Sequence, residues 1–146
     1  MPTLLDPADR DAILRRLRRL TPGSKPNWGT LTAPRLLCHL ADQLRVAVGD
    51  LPVTHRDSLF SRTLLKWLVV HTTFQAPPGK VKTEPEMLTS TPTSWRADLE
   101  ACEALIGRVC TTPTTAFHPT FGPLSHEEWG RLCWKHLDHH LRQFGE

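Results

Sequence analysis

Residues 125–144, SHEEWGRLCWKHLDHHLRQF, restrict the fold more than any other part of the chain. Ser125 and Glu128 have the spacing of a capping box. Glu127 and Glu128 add negative charge where a helix start is positive. The stretch predicts the last helix. At about 100° per residue, Trp129, Cys133, His136, Leu137, His140 and Phe144 share one apolar sector. Leu132 lies at its edge, His139 on its flank, and Asp138 points away. Two imidazoles, one turn apart, therefore face a core.

A buried imidazole needs partners for both ring nitrogens, and the amides of a helix are already used. Two readings follow. His136 and His140 can converge on one divalent metal, as i and i+4 imidazoles do. Alternatively, they are core histidines bonded to side chains or water. Leu137 follows His136, so HExxH and its adjacent glutamate are absent. A third ligand would come from His39, His55, His71 or His118. His39 lies off the apolar centre of its own helix, aligned with Gln43 and Val46. His71 is in phase with its helix's apolar face and competes with it. His118 and His126 lie in or beside a loop, where capping and surface roles are expected.

The rest of the chain reads as helices between Pro- and Thr-rich loops. Asp6 before Pro7 is a cap followed by a first-turn proline. Ile13, Leu17 and Leu20 keep helical spacing until TPG at 21–23. Thr32, Pro34 and Gly49 bracket a second helix with Leu37, Leu40, Leu44, Ala47 and Val48 on one face. A third is expected from about Ser58 to His71, on Phe60, Leu64, Trp67, Leu68 and His71. A fourth runs from about Ser94 to Val109, on Trp95, Leu99, Cys102, Leu105 and Ile106. Between them, residues 75–93 form a polar connection rich in proline. It reads as a surface strap ahead of a lid over a site. No strand alternation, repeat or low-complexity tract is seen. The expectation is one domain, residues 1–146, forming an all-α bundle with long loops across its ends.

Composition narrows the function classes. The chain is 39% hydrophobic and 23% charged, which does not indicate disorder. Its net charge of +3 is too mild and too scattered to point to nucleic acid. The one basic cluster, RRLRRL at 15–20, alternates with leucines as a solvated helix face does. The longest apolar run, LLKWLVV, is short and carries Lys66, so no membrane span is expected. The N-terminus has acids where a secretory leader would be apolar. The four cysteines, Cys38, Cys102, Cys110 and Cys133, form no CxxC. Free buried thiols in a reducing cytoplasm are expected. Cys133, one turn before His136, reads as an inert thiol ahead of a fourth ligand. Trp28, Trp67, Trp129 and Trp134 could line a pocket, with core packing the first expectation.

Two long blocks carry a resemblance. NWGTLTAPRLLCHLADQLR at 27–45 and HPTFGPLSHEEWGRLCWKHLDHHLRQFG at 118–145 are similar to an uncharacterised branch of the DinB/YfiT-like metalloenzyme superfamily. The resemblance covers most of the chain and is poorest over 75–93. It implies a DinB-like four-helix bundle with a divalent metal, zinc, nickel or iron, on His39, His136 and His140. Relatives include thiol-S-transferases that use bacillithiol, mycothiol or glutathione, and a mycothiol-dependent isomerase. Many are homodimers. The resemblance thus implies a small-molecule substrate, a low-molecular-weight thiol and no nucleic-acid or membrane partner. Asp42 and Gln43 are the nearest sequence candidates to orient the ligands, though surface positions are the first expectation for both. The absence of an obvious general base beside HxxxH places thiol transfer ahead of hydrolysis. The alternatives are a non-catalytic metal or small-molecule binding bundle, and a structural dimer without metal.

Overall fold

The computed structural model describes residues 1–80 and 82–146. Helix α1 spans Pro7–Arg19. The Asp6 carboxylate accepts the amides of Ala8 and Asp9, Pro7 takes the first position, and basic residues fill the last turn. Each feature matches the field at that helix end. Helix α2 spans Ala33–Ala47, and 12 of its 15 residues are buried. A helix buried nearly all round occupies the middle of a fold. It packs against α4, Trp95–Thr111, and α5, His126–Gln143, while α1 also lies on α5. The capping box of Ser125 and Glu128 is present at the head of α5.

Leu17, Leu37, Leu40, Leu44, Ile106, Trp129, Leu137 and Leu141 meet in one core drawn from all four of these helices. Gly130 of α5 is a close-approach position. A Cβ there would come within 2.7 Å of Leu5 and Thr3, and its carbonyl accepts the Leu4 amide at 3.1 Å. The N-terminal segment is thereby tied down along α5.

The expected all-α four-helix bundle is overturned. The described residues form five α-helices and a two-stranded antiparallel sheet. The segment expected as one helix from Ser58 to His71 is a π-helical turn, Ser61–Leu65, running into the short α3, Lys66–His71. Its apolar repeat does not enter the core. Phe60, Leu64 and Trp67 are all more than half exposed, and Val70 is the buried residue of α3. The sheet pairs β1, Phe117–His118, with β2, Gly122–Pro123. Strands of two residues contain no alternation to read. Their turn uses Gly122 at φ +73°, a conformation that disfavours a side chain.

The connection between α3 and α4 is folded down on α2. Its 3-10 turn, Pro85–Leu88, packs against α2 and buries Met87. Asp42 of α2, 1% exposed, clasps it. The carboxylate accepts the amides of Thr89 and Ser90 at 2.9 and 2.8 Å, both their hydroxyls, and the Arg45 guanidinium. Burial alone would raise the Asp42 pKa, but these donors outweigh it and hold it below the usual range. Both Asp42 and Gln43 are therefore buried, against the expectation of surface positions.

Candidate metal centre

Helix α2 brings His39 to the α5 side, opposite His136 and His140. The Nε2 atom of His39 lies 2.9 Å from Nε2 of His136 and 3.0 Å from Nε2 of His140. Among the described residues, no other three His, Cys, Asp or Glu side chains converge in this way.

The outer nitrogens decide what the inner ones can be. His39 Nδ1 is 2.9 Å from the carbonyl of Met87. A carbonyl only accepts, so Nδ1 carries the hydrogen and Nε2 is a bare lone pair. His140 Nδ1 is 2.7 Å from Gln143 Oε1. The orientation of that amide is set by its own nitrogen, which donates to the Trp28 carbonyl at 2.8 Å. His140 Nδ1 therefore donates as well, and its Nε2 is a second lone pair. The two lone pairs face each other at 3.0 Å. His136 Nδ1 is buried with no partner among the described residues. A hydrogen on His136 Nε2 could serve one lone pair and leave the other opposed.

A proton is a poor remedy. Burial lowers the pKa of His39, and burial with the neighbouring rings His140 and His39 lowers that of His136 well below the ordinary histidine value. Burial, then His39, brings His140 to about 3. The rings are neutral donors of lone pairs. Two nitrogens on one ion, each at about 2.1 Å, sit at most roughly 4.2 Å apart. The observed 2.9 and 3.0 Å lie inside that reach, so the residues fit a divalent cation.

The centre opens into a cavity of about 840 Å3, within the range of small-molecule sites. Leu65, Val69, Phe74, Phe121 and Leu132 supply apolar wall. Residues 72–77 and 82–84 form another side, so the connection read as a surface strap walls the cavity. Its Met87 carbonyl also sets the tautomer of His39.

The remaining candidates separate clearly. His71 is paired with Glu128 at 2.9 Å and accepts from Arg131 at 3.2 Å, away from the three rings. His55 stacks on Phe117. His139 is half-buried, edge-on to Trp28 and His140. His118 is buried, not on the surface, although its Nδ1 does cap its turn. Trp129 is core and donates to the Ala116 carbonyl, Trp67 is exposed, and Trp134 lines the cavity. Cys133 is fully buried, touched by Gln43 Nε2 at 3.4 Å, and burial pushes its thiol up to about 12. It is no nucleophile. Asp138 does not orient a ligand; Arg16 and Arg142 hold it. Sequence reasoning missed Gln143. Its place three residues after His140, on the same helix side, was the available signal.

No curated protein and no solved structure matches this chain. One family does, over residues 2–146, and it is described as a protein of unknown function, DUF1569. On that match, which spans nearly the whole chain, the protein belongs to the DUF1569 family.

Proposed function

We propose that the chain binds one divalent cation through Nε2 of His39, His136 and His140, and acts on a small apolar substrate in the adjoining cavity. The observation that carries this reading is the opposed pair of lone pairs on His39 and His140. Three neutral imidazoles suit zinc, nickel or iron. Such a cation, when bound, is a Lewis acid that lowers the pKa of a thiol or water beside it. The Met87 carbonyl and the Gln143 amide hold the rings in the tautomer that ligation needs.

Thiol transfer stands ahead of hydrolysis. Glu84 and Asp138 line the cavity, but neither is free to activate water. Arg56 and Thr120 hold Glu84, and Arg16 and Arg142 hold Asp138. A low-molecular-weight thiol depends on such a base less than water does, because its ordinary pKa, about 8.5, starts far below that of water, about 15.7. The family that matches the chain carries no link to DinB/YfiT-like metalloenzymes, so that resemblance rests on residues 27–45 and 118–145 alone; it favours the same choice. It also supports a homodimer. The free cysteines suit a reducing cytoplasm.

Metal content of the untagged protein, read by plasma mass spectrometry, tests the reading. About one equivalent of zinc, nickel or iron is expected, and none in His39→Ala or His136→Ala. Protein that takes up no metal after incubation with an excess of each ion overturns it.

A further inference from the structure

His118 sits at the end of β1, 6% exposed, between the rings of Phe121 and Trp129. It lines the same cavity as the three-histidine cluster. It is also close enough to His136 to depress that ring's proton affinity. Its Nδ1 accepts two backbone amides, Thr120 at 3.1 Å and Phe121 at 3.2 Å. An imidazole nitrogen that accepts two N–H groups carries no hydrogen of its own. The hydrogen is therefore on Nε2. That N–H has no protein partner among the described residues, and the residue as a whole is only 6% exposed.

Two roles are excluded by this tautomer. His118 cannot serve as a fourth ligand through Nε2, because moving the hydrogen to Nδ1 would set it against two amides. It is also a poor general acid or base. Burial brings its pKa to about 4, with Glu84 and Glu86 pulling weakly the other way. What remains is a fixed, neutral hydrogen-bond donor in an apolar cavity. Such a donor is strong toward an acceptor oxygen, because little water competes for it.

We infer that His118 Nε2–H is a substrate-binding donor, and that the cavity takes an apolar molecule carrying a carbonyl-type acceptor oxygen. The apolar wall of Leu65, Val69, Phe74, Phe121 and Leu132 holds the hydrocarbon part. His118 selects for the oxygen and aims it toward the histidine cluster. This rests on the cavity being the substrate site proposed above, but not on a metal being bound.

The test uses two probes of nearly one shape. Acetophenone has the acceptor oxygen, and α-methylstyrene has a methylene in its place. Binding is followed by NMR titration of the full chain, metal-free and after loading with zinc. His118→Asn is the informative variant, since its Oδ1 can accept the Thr120 and Phe121 amides while the Nε2–H is lost. The preference for acetophenone over α-methylstyrene is expected to fall roughly three- to tenfold in His118→Asn, with metal uptake unchanged. An unchanged preference in folded His118→Asn overturns the assignment, as does a parent chain that binds neither probe. The long-range 1H–15N spectrum of the parent is a second readout that needs no variant. It is expected to show the His118 hydrogen on Nε2 and to shift with acetophenone only; a hydrogen on Nδ1 overturns the inference. A His118-dependent preference in a chain that takes up no metal supports this inference while the metal reading fails.

Discussion

Nε2 of His39 and Nε2 of His140 face each other at 3.0 Å, and neither carries a hydrogen. Opposed lone pairs in a buried site store repulsion that a cation removes. Loading with zinc is therefore expected to stabilise the fold. At about 100-fold excess over the dissociation constant the gain is about 2.7 kcal/mol. For a chain of this size that is a rise in Tm of roughly 5–11 °C. Differential scanning fluorimetry checks it. A chelator should reverse the shift, and His140→Ala should abolish it.

The metal-free chain should lose stability in mild acid. The folded pKa of His118 is about 4, against about 6.5 unfolded. Between those values the unfolded chain holds the extra proton and the native one does not, so stability rises with pH. It is lost as pH falls from about 6.5 toward 4. The slope for one such ring is about 1.4 kcal/mol per pH unit. Urea midpoints measured across that window should fall with acid in the parent, and about one proton less steeply in His118→Asn.

Asp42→Ala should loosen the strap without touching a ligand. It leaves the amides and hydroxyls of Thr89 and Ser90 without their acceptor. The expected cost is about 2–3 kcal/mol of local stability. Faster amide exchange at Thr89 and Ser90 would show it. Zinc affinity should drop roughly tenfold, because His39 loses its carbonyl partner when the strap lifts. Unchanged exchange at both amides would refute the clasp.

Cys102 and Cys133 should resist alkylation in the folded chain. Both are fully buried, and burial lifts both thiols to about 12. Iodoacetamide at pH 8, followed by peptide mass spectrometry, should leave both unmodified. In urea all four cysteines should react. Native labelling of Cys133 would mean that α5 opens beside His136.

The helix starts were legible because their chemistry is local. Asp6 with Pro7, and Ser125 with Glu128, satisfy amides within one turn. The direction of His136 and His140 was legible from the period of α5. His39 was not placed by its own periodicity, since α2 is buried nearly all round and has no outer face to serve as reference. What places it is the packing of α2 on α5, which brings its ring against His136 and His140. The exposed apolar repeat of Phe60, Leu64 and Trp67 misled in the other direction, since periodicity reports a face and not what covers it. His118 was half legible. A loop histidine that caps its own turn was expected, but its burial depends on Phe121 and Trp129 closing around it.

The contact that orients His39 comes from the main chain of Met87, not from its side chain. Any residue at that position could present the same oxygen. Substitutions along the strap should therefore pass unnoticed at the centre as long as the backbone keeps its course. A single insertion or deletion between Thr72 and Asp42's partners Thr89 and Ser90 is different in kind. It would displace the oxygen, free the hydrogen on Nδ1 to move across the ring, and turn a ligand into a donor while every histidine stayed in place. The centre is sensitive to the length of a loop whose composition it ignores.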